Sequence, residues 1–525
     1  MRPTKRTMKR VRPKAFHTAT VLFLLAALGF LYSFLFIPPF LPAENNAIAD
    51  SFLYLAPGQR MYQGDMIYRD VFEYVTPGTA LVNFLMFKLF GLRLWIPDLL
   101  ALVLGFGLVW LGVVISRKLM RPSLALLPSA IFLVSRRTFL LDPTHHWYSV
   151  LAAIAAIAVL LDRRSQRRIV AAGFFCGLSA CFTQTRGLAV VVGFAVYLWW
   201  ESRRRHEGCR RLLKAEAWLV TSFISTFIAM NVYFVWNAGL VQYLWCTVVF
   251  PLRYYPKAGP WNTFQALWTE FPVYESLHAF LHPFALWLSV FAVAPIALLV
   301  FFWRYWRESS KKPLEYWERP MLVAIVGLFM LLAIAPAPDS VRMAMSALPA
   351  FILLGWFLDS PRGINQTLAS VIGVGTLFIA CYCVATRKPI PAGVLATPEG
   401  QIAFTEGSLF EKYIWIRQHT HPSEYFYEAD YAEVYFYLNL RNPTPLSEIA
   451  DTGYSTPEQI TQVIRGLEQH RVQYIVWESG ALGTLQGSKH SSDDHLRPLW
   501  EYVQSNYQLV KAFPDSDEIW ERNAK

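Results

Sequence analysis

Charged residues are scarce in this chain. Only 16% of its 525 residues are Asp, Glu, Lys or Arg, whereas 54% are hydrophobic and 19 are tryptophan. A soluble globular domain carries about 25% charged residues. Long apolar runs recur along most of the length, and together these features predict a polytopic α-helical membrane protein.

Cysteine and the motifs of common soluble enzymes are also sparse. No cysteine follows residue 383, so the C-terminal part has no disulfide framework. The same part shows no nucleotide-binding loop, no metal-ligand spacing and no catalytic triad. Any chemistry must therefore be sought among the polar residues that interrupt or flank the apolar runs.

The net charge of +11 is unevenly distributed. Residues 388–525 carry 11 Lys and Arg against 19 Asp and Glu, a net of −8, so the preceding part holds +19. The basic residues of that part lie in short loops between apolar runs. This is the positive-inside pattern of a membrane protein rather than a nucleic-acid-binding surface, and we expect no nucleic-acid partner.

Hydropathy predicts about eleven transmembrane helices. With this count, all the strongly basic loops fall on the cytoplasmic side and both the first outer loop and the C-terminus fall outside. For the first apolar run, a cleavable signal peptide is the alternative interpretation. Merging the two short spans around Arg186 into one would place the basic loop at 203–205 outside, so the charge pattern favours two spans. The predicted spans are 19–36, 96–116, 122–140, 147–161, 169–184, 187–200, 215–236, 283–303, 320–336, 344–358 and 367–386.

The chain therefore divides into three predicted parts. Residues 1–14 form a basic cytoplasmic tail, residues 15–387 the transmembrane domain with its first outer loop at 38–95, and residues 388–525 a soluble extracytoplasmic domain. In that domain we expect helices at 411–419, 456–470 and 496–507 and strands at 425–427, 434–438 and 472–477. This alternation predicts a small α/β fold, which we expect to shape or cap a site.

Five arginines lie at the predicted outer ends of spans or in outer loops, where the positive-inside rule disfavours them. Snorkelling into the lipid headgroups is one explanation. The other is an anion site, because a guanidinium group matches phosphate oxygens with a fixed fork of donors. A lipid phosphate fits, since its tail would lie in the bilayer and its head at this level. The five are Arg136, Arg137, Arg186, Arg253 and Arg342.

Acidic residues occur at the same level. Glu44 and Asp50 follow the first span, and Asp142 follows the third. A solvated or helix-capping role is the simpler interpretation of each. His145 and His146 come just after Asp142, but adjacent residues point in different directions and no third ligand follows at helical spacing. We expect no cofactor, and no motif supports a divalent metal.

The order of features around the first outer loop resembles the GT-C superfamily of membrane glycosyltransferases. An acid follows span one, and then come QGDMIYRD at 63–70, TPG at 76–78, FKLFG at 87–91 and LD at 141–142. The similarity in style is greatest to the protein O-mannosyltransferases, the aminoarabinose transferase and the Rgt-type lipopolysaccharide glycosyltransferases. The order of predicted spans is similar over roughly residues 15–390, whereas the short sequence motifs are confined to about residues 37–190.

The resemblance implies transfer of a sugar from a polyprenyl-phosphate-linked donor to a lipid, glycan or protein on the outer face of a bacterial-type inner membrane. By position, Glu44 would be the catalytic carboxylate, Asp142 the second acid and Arg342 a donor-phosphate ligand. Transfer without a covalent intermediate would invert the anomeric carbon. Tyr68, Arg69, Asp70, His145 and His146 would belong to the acceptor or substrate loop.

One departure from the family pattern concerns the base. Many relatives carry two adjacent acids after helix one, whereas Glu44 stands between Ala43 and Asn45. Asp50 is therefore the alternative proton acceptor.

A transporter or flippase for lipid-linked saccharides is the alternative function. It would need charges deep within the spans and paired, interrupted helices, but the sequence has few mid-span charges and no clear repeat. An O-antigen-type polymerase would need a larger outer loop than 238–282. The sequence predicts membrane lipids and a polyprenyl-phosphate sugar as partners but names neither the sugar nor the oligomeric state.

Overall fold

The computed structural model describes most of the chain beyond the first predicted span. The described residues are 43–44, 50–135, 143–162, 164–269, 287–359, 363–385, 392–404, 406–429, 433–450, 452–482, 485 and 494–524. Each of the ten predicted spans from 96–116 onward overlaps a helix among the described residues, whereas 19–36 lies outside them.

The first part of the described chain is helical. One π-helical stretch lies at Trp245–Val249 and another at Ser289–Val293. The helices are α1 (Asp50–Gln63), α2 (Gly78–Phe90), α3 (Ile96–Leu119), α4 (Leu127–Ser135), α5 (His145–Leu160), α6 (Gln166–Phe182), α7 (Gln184–Arg204), α8 (Cys209–Ala238), α9 (Leu240–Arg253), α10 (Ala294–Glu308), α11 (Leu314–Ile334), α12 (Ser340–Ser346), α13 (Leu348–Leu358) and α14 (Gly363–Ala385).

Helix length and composition do not confirm a count of eleven spans. Within the described ranges, three helices are long and apolar enough to cross a membrane, namely α3, α8 and α11. α12 and α13 make a fourth candidate if they act as one span, although their axes bend by 51° at the break. The short pair predicted around Arg186 is indeed two helices, α6 and α7, which meet at Thr183.

The helices pack around a continuous apolar core. Its largest fully buried side chains include Trp147 of α5 and Trp317 of α11. Small residues bring helices close together, as they commonly do in membranes. At Gly173, where α6 meets α8, a Cβ atom would lie 2.4 Å from the carbonyl oxygen of Leu219, so a larger residue would push the helices apart.

The C-terminal part contains two small sheets. In the first sheet the strand order is β1-β3-β2, and in the second it is β4-β5-β7-β6. The strands are β1 (Ala43–Glu44), β2 (Gly393–Thr397), β3 (Gly400–Phe404), β4 (Tyr427–Ala429), β5 (Tyr474–Trp477), β6 (Tyr507–Ala512) and β7 (Glu518–Arg522), and the helices are α15 (Gly407–His419), α16 (Val434–Leu438), α17 (Pro457–Gln469), α18 (Ser479–Leu482) and α19 (Arg497–Asn506).

The prediction of a strand at 434–438 is wrong, because these residues form the short helix α16. Aromatic residues favour strands, but this preference is weak against tertiary packing. All five side chains of α16 are buried, and α1 lies against it, with Gln59 Nε2 donating a hydrogen bond to the Tyr435 carbonyl oxygen at 2.8 Å. A helix satisfies its own backbone groups at such a site, whereas a strand would need a neighbour to pair with.

The loop predicted to follow the first span and the C-terminal part are joined by backbone hydrogen bonds. β1, which belongs to the loop in sequence, pairs in parallel with β3 and places Glu44 opposite Ala403. Further along the loop, the Phe72 N–H donates to the carbonyl oxygen of Pro445 at 2.8 Å. The two segments are therefore in direct contact.

Candidate active site

A buried polar cluster lies where the loop between α1 and α2 meets the first turns of α5, α7 and α12. We call it the arginine cluster. Contacts of side chains and rings join its members, which come from segments far apart in sequence. They are Tyr54, Tyr74, His145, His146, Arg186, Tyr255, Asp339 and Arg342.

Arg342 is held firmly within this cluster. Asp339 caps α12 by accepting the backbone N–H of Arg342 at 2.7 Å, and its other carboxylate oxygen pairs with Arg342 Nη1 at 2.8 Å. Arg342 Nη2 donates to the hydroxyl of Tyr255 at 2.7 Å and to Oδ1 of Asn262 at 2.8 Å. These bonds fix the direction of the guanidinium group, which is only 13% exposed.

Arg186 is more deeply buried and has fewer partners. Its side chain begins in the first turn of α7, and the residue is only 1% exposed. Nη1 donates to the carbonyl oxygen of His146 at 3.0 Å, but the buried Nε finds no hydrogen-bond acceptor among the described residues. An unsatisfied buried donor is costly unless a ligand supplies the acceptor.

The cluster carries more positive than negative charge. Arg186 and Arg342 lie close enough to repel each other, and Asp339 attracts both. One carboxylate thus faces two guanidinium groups. The first turn of α7 adds the partial positive charge of a helix N-terminus. The arrangement therefore favours an anion, and phosphate oxygens suit two guanidinium groups.

Two histidines and a tyrosine line the cluster beside the arginines. The rings of His145 and His146 lie 3.8 Å apart, and Tyr54 packs on His145 with ring centroids 4.3 Å apart. The Nδ1 atoms of both histidines are buried and have no hydrogen-bond partner in the described chain. In the same ranges, no three His, Cys, Asp or Glu side chains converge as metal ligands would.

A carboxylate lies on the other side of these tyrosines. Glu73 lines a cavity of about 30 Å³ together with Tyr54, Tyr74 and, from the C-terminal part, Glu448 and Tyr454. We call this the Glu73 cavity. The hydroxyls of Tyr54 and Tyr74 are 3.3 Å apart, and the Tyr74 ring also contacts Tyr255 of the arginine cluster at 5.3 Å. Tyr54 and Tyr74 therefore belong both to the cavity and to the cluster.

Glu73 lies in the loop between α1 and α2, and its pKa is altered. It is 7% exposed, and one carboxylate oxygen accepts the Val75 N–H at 2.8 Å. Burial raises the pKa of Glu73 to about 8, although backbone hydrogen bonds from Val75 and Tyr74 lower it in part. A carboxyl group with a pKa near neutrality can both take and return a proton, which is the property of a general base.

No protein-family model matches this chain, and no curated protein sequence matches it. Solved structures do. ArnT from Cupriavidus metallidurans bound to undecaprenyl phosphate aligns over 97% of this chain and 99% of its own, with a TM-score of 0.58 and 12% sequence identity. AglB, an oligosaccharyltransferase from Archaeoglobus fulgidus in complex with an inhibitory peptide and a dolichol-phosphate, aligns over 97% of this chain and 75% of its own, with a TM-score of 0.51 and 12% identity.

Both neighbours are membrane glycosyltransferases of the GT-C superfamily. The chain has the GT-C fold. The resemblance inferred from the order of motifs is thereby confirmed at the level of the fold. The apo form of the same ArnT gives a similar alignment, with a TM-score of 0.57 and 13% identity over 97% of this chain and 98% of its own.

The GT-C fold brings together four of the residues selected from the sequence, namely Arg186, Arg342, His145 and His146. Arg253 is exposed and lies over the ring of Tyr254 at 5.5 Å, apart from the arginine cluster. The main chain of Glu44 lies in β1 and that of Asp50 begins α1. The side chains of these two acids, and the whole of Asp142, Arg136 and Arg137, lie outside the described residues.

The remaining predicted residues support the loop of this GT-C fold. Tyr68 is buried and its hydroxyl donates to the Val75 carbonyl oxygen at 2.6 Å. Arg69 is exposed and pairs with Asp70 at 2.7 Å, and the Asp70 carboxylate accepts the Met66 N–H at 2.9 Å. None of the three residues joins the arginine cluster.

Sequence reasoning missed Glu73 and the tyrosines around it. One signal was present, because Glu73 is the single acid in the apolar run at 71–75. A charged residue within such a run is rarely buried without a function or a partner. The tyrosines gave no comparable signal, since 25 tyrosines occur in the chain.

Proposed function

We propose that this protein is a glycosyltransferase that takes a sugar from a polyprenyl-phosphate-linked donor. The observation that carries this proposal is the arginine cluster, in which two buried guanidinium groups face one carboxylate and Arg186 Nε has no acceptor among the described residues. A lipid phosphate would supply both the missing charge and the missing acceptor. It would reach the cluster from the bilayer with its chain between helices.

The structural neighbours support this ligand. ArnT was solved bound to undecaprenyl phosphate and AglB bound to a dolichol-phosphate. Both lipids carry a phosphate on a polyprenyl-type chain. A sugar joined to that phosphate would be the donor, and the lipid phosphate would be the leaving group.

The reaction is a displacement at the anomeric carbon of the donor sugar. The acceptor hydroxyl oxygen attacks this carbon, its proton passes to a carboxylate, and the bond between the carbon and the phosphate oxygen breaks. The electron pair of that bond stays on the phosphate, where Arg186 and Arg342 would stabilise the new charge. Attack opposite the leaving group inverts the anomeric centre.

Glu73 is an additional candidate for the carboxylate that takes the proton. It lines the Glu73 cavity, and Tyr54 and Tyr74 connect this cavity to the arginine cluster. The acids selected from the sequence, Glu44, Asp50 and Asp142, remain candidates for the same role. A donor phosphate at the arginines and an acceptor hydroxyl at the cavity would place the reacting atoms between them.

The proposed setting is the outer face of an inner membrane. The N-terminus would be cytoplasmic, and residues 388–525 would form a soluble domain above the site, as the charge distribution predicts. The acceptor would be a lipid, a glycan or a protein.

Lipid binding tests the proposal directly. We expect the purified protein in nanodiscs to bind undecaprenyl phosphate in preference to undecaprenol when measured by native mass spectrometry. Replacing Arg186 with Gln should weaken binding roughly tenfold, because one charged hydrogen-bonding group is lost. Arg253→Gln, which removes the same charge from an exposed position, is the matched control. Equal binding of both lipids by the wild-type protein would contradict the proposal.

Activity then separates the enzyme from the flippase. Proteoliposomes containing the protein are given undecaprenyl-phosphate-linked hexoses and pentoses, and release of undecaprenyl phosphate is measured with and without acceptor lipids and glycans. We expect acceptor-dependent release. Movement of the labelled donor across the bilayer, with no new glycosidic bond, would favour the flippase instead.

A further inference from the structure

A polar cleft of about 410 Å³ lies between the first outer loop and the C-terminal part. Arg60, Gln63, Asp65 and Asp70 line it from α1 and the following loop. The opposite wall is formed by residues 441–445 and by α17. The two walls are tied together, because Arg60 Nη1 donates to the Thr444 carbonyl oxygen at 2.8 Å. The cleft is therefore a fixed feature of the fold.

The charges in this cleft are not balanced. Asp65 pairs with Arg60, and Asp70 pairs with Arg69, so both acids already have a cation. Arg441 and Arg465 also line the cleft, and neither makes an ion pair with any residue that the structure describes. Arg441 Nε is buried and lacks a hydrogen-bond partner within the same ranges. The cleft thus offers two guanidinium groups to a ligand with an anionic group.

The other lining groups suit a carbohydrate. Amide side chains of Gln63, Gln462 and Gln469 offer donors and acceptors for hydroxyl groups. Tyr425 and His470 also line the cleft, with stacked rings whose centroids are 3.8 Å apart. Stacked rings of this kind present a flat apolar edge or face, against which the C–H groups of a sugar can pack.

The cleft and the Glu73 cavity are bordered by the same two segments. α17 lines both, with Gln459 in the cavity and Gln462 and Arg465 in the cleft. Six residues of helix separate Gln459 from Arg465, which is about 9 Å along the axis. The chain segment 443–448 likewise borders the cleft with its first residues and the cavity with its last. A short oligosaccharide would span this distance.

We propose that the polar cleft binds the anionic part of a glycan acceptor and so presents a hydroxyl group of that acceptor to the Glu73 cavity. This inference rests on the proposed glycosyltransferase function. The acceptor class is then a saccharide that carries a phosphate or a carboxylate, one or two sugar units away from the hydroxyl that is glycosylated.

The test is an equilibrium titration of the full-length, detergent-purified protein, followed by ligand-observed NMR. The probes are trehalose 6-phosphate, trehalose, inorganic phosphate and trigalacturonic acid. We expect trehalose 6-phosphate or trigalacturonic acid to bind more tightly than both trehalose and inorganic phosphate. Tighter binding of the first would assign a phosphorylated acceptor, and tighter binding of the second a carboxylated one.

Variants locate the binding. Arg441→Gln and Arg465→Gln should each weaken binding of the preferred anionic probe roughly tenfold. Arg417→Gln removes a charge from an exposed position on α15 outside the cleft and should leave the affinity unchanged. Arg465 is exposed on α17, so its replacement should not disturb folding even if that of Arg441 does.

Three results would overturn the inference. They are equal affinity for trehalose and trehalose 6-phosphate, unchanged affinity in the Arg465→Gln variant, or tighter binding of a triglutamate peptide than of either anionic saccharide. Undecaprenyl phosphate binding is measured on the same variants. If it stays intact while the cleft binds no saccharide, the acceptor inference fails and the proposed function stands.

Discussion

Two clusters of buried charge lie in different parts of the molecule, and they are built differently. In the C-terminal part, Lys412 of α15 is 4% exposed and its ammonium group lies 2.6 Å from Asp517 and 3.9 Å from Glu478. Burial by itself would lower the pKa of Lys412, but Glu478 and Asp517 more than compensate and raise it. The positive charge of Lys412 is thus compensated by acidic side chains of the protein itself.

The arginine cluster lacks this balance. Asp339 forms an ion pair with Arg342, no described acid forms one with Arg186, and Arg186 Nε has no acceptor in the described chain. In the Lys412 cluster the excess is of acids, and protonation can relieve it. Burial raises the pKa of Glu433 to about 6, for example. Arginine cannot lose its proton in this way. A buried excess of arginine therefore points to an external anion, whereas the Lys412 cluster is a structural element.

The largest effect should come from Lys412 and the acids that surround it. Lys412→Met would leave buried acids without their cation and should lower the free energy of unfolding by about 3–5 kcal/mol. Denaturation of the purified variant measures this loss. Adding Asp517→Asn should recover part of it, because the uncompensated charge is removed. A variant as stable as the wild-type protein would break the comparison.

Loss of Arg186 should affect function far more than stability. Arg186→Gln should lower the rate of sugar transfer roughly 10²–10³-fold, the range observed when one donor to a developing negative charge is removed. Its melting temperature should stay close to that of the wild-type protein, because Gln relieves the repulsion with Arg342. A large fall in melting temperature together with retained transfer would show that this cluster, too, is structural.

Glu73 should make transfer depend on pH. A general base must be deprotonated, so with a pKa of about 8 the rate should rise about tenfold per pH unit up to that value and then level off. The Glu73→Gln variant should be slow and lack this rise. Glu411→Gln, at an exposed position of α15, is the control and should keep the wild-type profile.

Stability should show the opposite trend with pH. The carboxyl group of Glu73 has a pKa of 4.5 in its unperturbed state and about 8 in the fold. Between these values the folded protein keeps a proton that the unfolded chain has released, so the Glu73 contribution to stability falls as pH rises. In Glu73→Gln this part of the slope should disappear. An unchanged slope would mean that Glu73 is not the group that titrates.

The smallest effect is expected at Arg253. Arg253 was predicted to lie at the same depth in the membrane as Arg186 and Arg342. In the structure it is exposed, and its guanidinium group lies over the ring of Tyr254. Arg253→Gln should change transfer by less than about threefold, since exposed charges contribute roughly 0–1 kcal/mol. A loss as large as that of Arg186→Gln would mean that position in the loop, rather than burial, decides the role of these arginines.

Much of the helical architecture could be predicted from the sequence. The hydropathy of a span and the charges beside it are local properties, so the positions of the helices and the separation of α6 from α7 followed from them. Arg186 and Arg342 stood out for the same reason, because each contradicts the charge rule of its own span. The start of the helix predicted at 456–470 was also local, because the Thr456 hydroxyl caps α17 by accepting the Gln459 N–H at 3.3 Å.

Other features depend on distant partners and could not be predicted. β1 is only two residues long and becomes a strand because β3 lies beside it. The residues of α16 favour a strand by composition but form a helix where α1 packs on them. Glu73 acquires its raised pKa from burial, which depends on packing against residues distant in sequence, such as Tyr454.

The sequence by itself predicted a polytopic membrane protein with the GT-C fold, because apolar length, charge asymmetry and motif order can be read along one dimension. Only the tertiary structure decided which polar groups meet. The charges of Arg186 and Arg342 act on each other because packing brings the first turns of α7 and α12 into one cluster, and Glu73 is buried in a cavity that residues of the C-terminal part help to line. Burial and uncompensated charge are properties of three-dimensional packing, and they distinguish a ligand site from the many other polar residues of the chain.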